Sequence, residues 1–125
     1  PTTYTDPSGL NPYNSQLSTI TIKWDESSTD EVKQERIITQ KWIANWMLGN
    51  EAWADYRRTG YPKLIPTTDE GNMSGGTVDN KKGARRMPYP SAEYIDNTVN
   101  VQYAVNNYLK RADNMATDLW WACKP

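Results

Sequence analysis

The chain is 125 residues long, sets 14 Lys and Arg against 15 Asp and Glu for a net charge of -1, and combines 6 Trp and 8 Tyr with no Phe and no His. Without His these residues cannot form a Ser–His–Asp or Cys–His catalytic arrangement or a His-ligated zinc or haem site, and the lone Cys123 rules out a disulfide framework or a Cys-only metal site within them. The near-neutral balance argues against a dedicated nucleic-acid binder. Leu, Ile and Val number only 18 of the 125 residues, below the roughly 20% at which a chain struggles to build a core, so Trp and Tyr must supply much of the packing.

Residues 1–28 read as an irregular lead-in. Pro, Thr, Ser and Asn dominate the first 19, and only Ile20-Thr21-Ile22-Lys23-Trp24 alternates with the period of a strand, with Ile20, Ile22 and Trp24 on one face. Pro1-Thr2-Thr3-Tyr4 lacks a Met, a basic start and an apolar run, so the natural start is expected upstream. No apolar run approaches the roughly 18 residues of a membrane span.

A helical pair is predicted over 29–62. Ser28-Thr29-Asp30-Glu31 fits a capping box with Ser28 at the N-cap, and Asp30 and Glu31 suit the positive end of a helix dipole. Val32, Ile38, Trp42, Ile43, Trp46 and Met47 recur at helical spacing, which predicts a helix from Thr29 to Leu48 ended by Gly49. Asn50 is placed to cap a second helix over Glu51–Thr59, with Trp53 and Tyr56 on one face, Asp55 paired to Arg58, Gly60 as terminator and Pro62 blocking continuation.

Residues 63–90 form a long loop. It holds Gly71, Gly75, Gly76 and Gly83, with a weak hairpin expected at Gly75-Gly76, and Pro88-Tyr89-Pro90 is extended by proline sterics. Asn72-Met73-Ser74 matches a glycosylation sequon, a tripeptide frequent by chance. Residues 91–125 hold short helices and a Trp-Trp tail. Ser91 is expected to cap a turn of helix with Glu93 and Tyr94, and a helix over Asn97–Leu109 puts Val101, Ala104, Val105 and Tyr108 on one face.

Three groups of residues invite a chemical reading. Glu51 and Asp55 stand at i,i+4, and paired carboxylates serve glycoside hydrolysis, but such pairs are also ordinary surface chemistry on helices. Lys81-Lys82-Gly83-Ala84-Arg85-Arg86 could hold a phosphate or could be a solvated, charge-balanced loop. Trp and Tyr rings can stack on sugars, but Trp42, Trp46 and Trp53 fall on apolar helix faces and read as core anchors. Adjacent Trp120 and Trp121 cannot share a face, so one is expected inward and the other exposed or against another segment. No phosphate-binding loop, nucleophile elbow or metal-ligand cluster appears, so catalytic and metal-binding residues are none and no cofactor is expected.

Gln40-Lys41-Trp42-Ile43-Ala44, the block Glu51-Ala52-Trp53-Ala54-Asp55-Tyr56-Arg57-Arg58-Thr59-Gly60-Tyr61-Pro62, Arg85-Arg86-Met87-Pro88-Tyr89-Pro90-Ser91, Glu93-Tyr94, Asn97, Asn100-Val101 and Asp118-Leu119-Trp120-Trp121 follow one another in a recognisable order. Over residues 31–121 this resembles the C-terminal part of SusD/RagB-like proteins, the nutrient-binding lipoproteins of the Bacteroidetes outer membrane. The tail Ala122-Cys123-Lys124-Pro125 departs from the acidic ending of that pattern, and Cys123 is at the wrong end to carry a lipid. The resemblance implies a mainly α fold with long irregular loops and at most a small β element, part of a tetratricopeptide-like helical scaffold whose N-terminal portion and lipid-bearing Cys lie outside this chain. The whole of 1–125 is then one C-terminal region. It further implies an extracellular-facing, non-catalytic lipoprotein that captures glycan or another nutrient and delivers it to a SusC-like TonB-dependent transporter, with no nucleic-acid partner. It transfers no ligand-contacting residue, so those stay unknown. Trp53 and Tyr56 are implied to be anchors, Arg57 and Arg58 multidentate clamps, and Gly60 a terminator. The alternatives are a free-standing carbohydrate-binding module using Trp120, Trp121 or loop 66–88, a glycoside hydrolase fragment using Glu51 and Asp55, or a docking element for the missing scaffold through the wide apolar stripe of 32–47.

Overall fold

A computed structural model describes residues 18–122. The 1–17 part of the lead-in and the residues from Cys123 onward lie outside the described residues. The fold is helical, with no strand among the described residues, in keeping with the mainly α expectation. Ile20–Trp24 is extended or bent rather than a strand, because among the described residues no second segment pairs with it. The chain divides into two compact units, the first ending at Thr68 and the second beginning at Asp69.

In the first unit α1 runs Asp30–Ala44. The N-cap is Thr29, whose hydroxyl accepts from the Val32 N–H at 3.4 Å, one residue later than the Ser28 cap predicted. Ser28 is occupied elsewhere, donating to Asp25 Oδ2 at 2.8 Å. The helix also ends earlier than Leu48. Asn45 closes it with its N–H on Lys41 O, and the chain turns through residues 45–47. This removes Trp46 and Met47 from the helical stripe and leaves them 77% and 87% exposed. Of the predicted stripe only Ile38 is buried, while its buried companions are Glu35 and Arg36.

Helix α2 follows as Gly49–Thr59, with Leu48 rather than Asn50 at the N-cap and no side-chain cap bond. Gly49 begins this helix instead of ending the first. Its buried positions Ala52, Asp55 and Thr59 recur at three and four residues, so this stripe faces inward. Gly60 ends the helix as predicted, at φ 82° with its N–H on Tyr56 O at 2.7 Å. A β-branched side chain at that left-handed position is strained by about 1–2 kcal/mol, and Gly60→Val is expected to lower stability by that amount in a denaturant titration. A midpoint unchanged from the parent protein would contradict the assignment.

The two helices are joined by side chains. Thr59 Oγ1 donates to Asp55 O at 2.7 Å and accepts from the Tyr61 N–H at 3.1 Å. The buried Tyr61 hydroxyl reaches back to donate to Glu31 on α1. That hydrogen bond, with burial and the charges of Glu31 and Glu35 behind it, pushes the Tyr61 phenol up to about 12, so it stays protonated as the donor. Glu35, also buried, accepts from Ser18 Oγ at 2.7 Å and pairs with Lys63 at 3.1 Å.

The second unit opens with a loop built of turns rather than a hairpin. Gly75 and Gly76 both take positive φ, but no ladder follows them. Asn72 organises the loop instead, its Nδ2 donating to Val78 O at 2.8 Å and its Oδ1 accepting from Ser74 N–H at 3.0 Å. The sequon's amide is therefore used internally. Helix α3 is Ser91–Asp96 with Pro90, not Ser91, at the N-cap, and α4 is Thr98–Ala104. α4 passes into a π-helical turn over Val105–Leu109, closed by Lys110 at φ 54°. Val101 is the buried hydrophobic residue of this stretch, while Tyr108 of the predicted face is 73% exposed.

Candidate functional site

A cleft of about 410 Å³ opens in the first unit where α1 runs out and α2 begins. Trp42, Trp46, Trp53, Tyr56 and Leu64 form its walls, with Asn45 beside Gly49 and Ala52. The early end of α1 creates it. Had the helix continued to Leu48, Trp46 would have stayed on the helical face, whereas the turn at 45–47 swings it out. The Trp residues expected as core anchors are thus lining residues: Trp42 and Trp53 are half-buried and Trp46 is exposed. Asn45 is the only polar side chain of the wall outside the aromatic tips, and its Nδ2 is buried without a hydrogen-bond partner.

Charge is arranged beside the cleft rather than in it. Lys41 Nζ sits 2.8 Å from Glu51 Oε1 and 2.7 Å from Asp55 Oδ2, and Arg58 Nη2 lies 3.0 Å from Asp55 Oδ1. The structure does bring Glu51 and Asp55 together, but around a shared lysine. Hydrogen bonds from Lys41 and then Arg58 hold the Asp55 carboxyl below the usual carboxylate range against the opposing effect of burial. A general acid for glycoside cleavage needs the opposite shift. Arg57 lies over the Trp53 ring at 3.7 Å from its centroid, a cation–π contact, and so braces a cleft wall. The two arginines differ in role: Arg57 stacks, Arg58 pairs.

In the second unit the basic run divides in the same way. Lys81 and Lys82 present their backbone N–H groups to Asp79 Oδ1, both at 2.8 Å. Arg85 Nε donates to Asp118 Oδ1 at 2.6 Å, and Arg86 pairs with Asp113. Asp113 also accepts from the Tyr94 hydroxyl at 2.6 Å and the Tyr89 N–H at 3.1 Å. This node was invisible in the sequence, where Asp113 carried no motif. The two arginines of the run are therefore spent on internal ion pairs, while the two lysines hold Asp79 through their backbone amides. Trp120 is 84% exposed and Trp121 36%, so the two rings differ in exposure but neither is buried as the inward member of the pair. Tyr103 and Tyr108 meet edge-to-face at 5.8 Å on an exposed surface. Among the described residues no group of Asp, Glu and Cys is placed to hold a metal ion, and no helix is long and apolar enough to cross a membrane.

Comparison with known proteins sets these features in context. A family model described as SusD-like, "Susd and RagB outer membrane lipoprotein", matches residues 1–122, a wider span than the 31–121 of the motif resemblance. No curated protein matches. The crystal structure of a SusD homolog from Bacteroides uniformis is similar with 73% identity and a TM-score of 0.89, over 97% of this chain and 25% of that one. A chitin-binding SusD homolog from Flavobacterium johnsoniae is 45% identical with a TM-score of 0.77, over 84% of this chain and 21% of that one. A SusD homolog from Bacteroides ovatus is 48% identical with a TM-score of 0.78, over 86% of this chain and 22% of that one. The chain spans a quarter or less of the length of these solved relatives.

Proposed function

This chain belongs to the family of SusD and RagB outer membrane lipoproteins, and on that premise we propose that it is part of a cell-surface protein that captures a glycan and delivers it to a SusC-like TonB-dependent transporter. The observation that carries the glycan reading is the 45% identity, over most of this chain, to a homolog described as chitin-binding. An extracellular-facing lipoprotein anchored through an N-terminal Cys outside these residues belongs to the same proposal, as does the reading of 1–125 as a single C-terminal region.

The role is binding without catalysis. Glu51 and Asp55 support this, since both are held on the one Lys41 ammonium and Asp55 is held ionised. The test is calorimetric titration of the full-length protein with a panel of oligosaccharides, chitooligosaccharides included. Saturable heat from one glycan class, with no reducing ends released on long incubation, is the expected result. Silence across every glycan class would defeat the capture reading, and sugar turnover that vanishes in Glu51→Gln would defeat the non-catalytic one. Copurification of a TonB-dependent transporter with the tagged protein from outer membranes is expected. A protein that always purifies without one would remove the delivery step.

A further inference from the structure

Helix α4 and the π-helical turn that continues it carry a surface unlike the rest of the chain. The sequence holds 14 Lys and Arg and 15 Asp and Glu, yet none lies between Asn97 and Leu109. The stretch is open to solvent all the same, with Asn100, Gln102, Tyr103, Asn106, Asn107 and Tyr108 exposed. Asp96 before it and Lys110 after it carry opposite charges. An exposed helix face of amides and phenols, without ionic groups of its own, has nothing with which to hold a charged ligand.

The π turn decides which of these side chains meet. Tyr103 and Tyr108 are five residues apart, and in a continuous α-helix they would point about 140° away from each other. Hydrogen bonds in a π turn join residues five apart, as where the Lys110 N–H donates to Val105 O at 2.8 Å. The wider turn brings residues at that separation back to one side. The two rings meet with centroids 5.8 Å apart and planes at 81°, while remaining 58% and 73% exposed. They form an open corner of one ring face and one ring edge. Single π turns inside helices are rare and are frequent at functional sites.

The chemistry of the corner selects its ligand. A pyranose has an apolar C–H face that suits an aromatic face, and a rim of hydroxyls that suits amides and phenols. Asn100 stands three residues before Tyr103 on the same side of α4, and Asn107 is tied to it. Both spend Nδ2 on the chain itself, at 2.6 Å to Asn97 Oδ1 and 2.8 Å to Tyr103 O. Each keeps its side-chain oxygen as an acceptor for a sugar hydroxyl. A dry protein joint would instead bury these amides at a cost. We propose that the Tyr103–Tyr108 corner, with Asn100 and Asn107 beside it, is a binding subsite for a neutral oligosaccharide, one pyranose stacking on a tyrosine ring while its hydroxyls bond to the amides and phenols. The inference rests on the glycan reading and deepens it, giving that reading a place and a class of sugar.

The test is calorimetric titration of the full-length protein and of its Tyr103→Ala and Tyr108→Ala variants with neutral and uronic-acid-containing oligosaccharides, together with thermal melting of each protein. The parent is expected to bind a neutral oligosaccharide, and each variant to bind it about tenfold more weakly, the loss typical of a truncated aromatic anchor. Melting should be unchanged, since both rings are exposed. Variants that bind a neutral sugar as tightly as the parent would overturn the subsite and leave the glycan reading standing. A parent that binds no sugar would defeat both. Binding confined to the acidic sugars would overturn the neutral class. A variant melting several degrees lower would show the rings packed inside the longer protein and would likewise overturn the proposal.

Discussion

Asp113→Ala is expected to destabilise the protein by about 3–5 kcal/mol, the cost of breaking a buried ion pair by removing one partner. The Arg86 and Asp113 side chains are 7% and 6% exposed, so the guanidinium left behind has little access to water. Two further groups lose their acceptor at once, the Tyr94 hydroxyl and the Tyr89 N–H, and Arg86 keeps only its place over the Tyr89 ring at 5.1 Å. Urea titration reads the loss as a shifted midpoint. Asp113→Asn retains one acceptor oxygen and the shape, so it should cost clearly less than Ala. A loss within the roughly 1 kcal/mol of a surface pair would show that the node is not structural.

The same node has a pH signature. Burial pushes the Asp113 carboxyl up, but the Tyr94 hydroxyl, Arg86 and the Tyr89 N–H outweigh it, and the net position is below the ordinary value of 3.8. A carboxyl depressed in the folded state contributes stability that is present above its unfolded pKa and lost as pH falls through the folded one. The parent protein should therefore lose stability as pH drops below about 4, and Asp113→Asn should show a shallower acid limb.

What the sequence discloses and what it hides divide by range of interaction. Helix α2 and its terminator are legible because their signals are local: Gly60 has no Cβ to oppose a left-handed turn, and Pro62 follows. The end of α1 is not. The apolar spacing of Trp42, Ile43, Trp46 and Met47 continues smoothly through the point where the helix stops, and periodicity cannot tell a stripe that packs inward from one that lines a cleft. The buried face of α1 is equally hidden, because Glu35 and Arg36 are inside only by virtue of Ser18, Lys63 and Thr21, which accepts from Arg36 Nε at 3.1 Å. The Asp113 node joins residues separated by up to 27 positions, and nothing in the neighbourhood of Asp113 announces it. The family motif, by contrast, is readable because Arg57 over Trp53, Arg58 on Asp55 and Gly60 at the cap each answer a constraint within one short helix. That same economy is why the motif reports architecture and leaves the ligand contacts unassigned.

Asp55→Ala is the second large effect expected, a loss of about 2–3 kcal/mol, between the ~1 kcal/mol of an exposed pair and the ~3–5 kcal/mol of a buried one. The intermediate figure follows from the geometry. Asp55 is only 11% exposed, but its partners Lys41 and Arg58 are 41% and 54% exposed and can recover water when it is removed. Lys41 belongs to α1 and Asp55 to α2, so their 2.7 Å contact fixes one helix against the other, whereas the Arg58 contact stays within α2. A double-mutant cycle therefore separates the two. Coupling between Asp55→Ala and Lys41→Ala should exceed that between Asp55→Ala and Arg58→Ala, since i,i+3 pairs on an exposed helix face are worth only about 0.2–0.5 kcal/mol. Glu51 gives the contrast that decides the role of the pair. Its side chain is 55% exposed, so Glu51→Gln should leave stability nearly unchanged even though Glu51 shares the same lysine. If both carboxylates instead proved dispensable for stability, Lys41 would not be a joint between the helices. The two acids would then be open to a chemical role that their present pairing argues against.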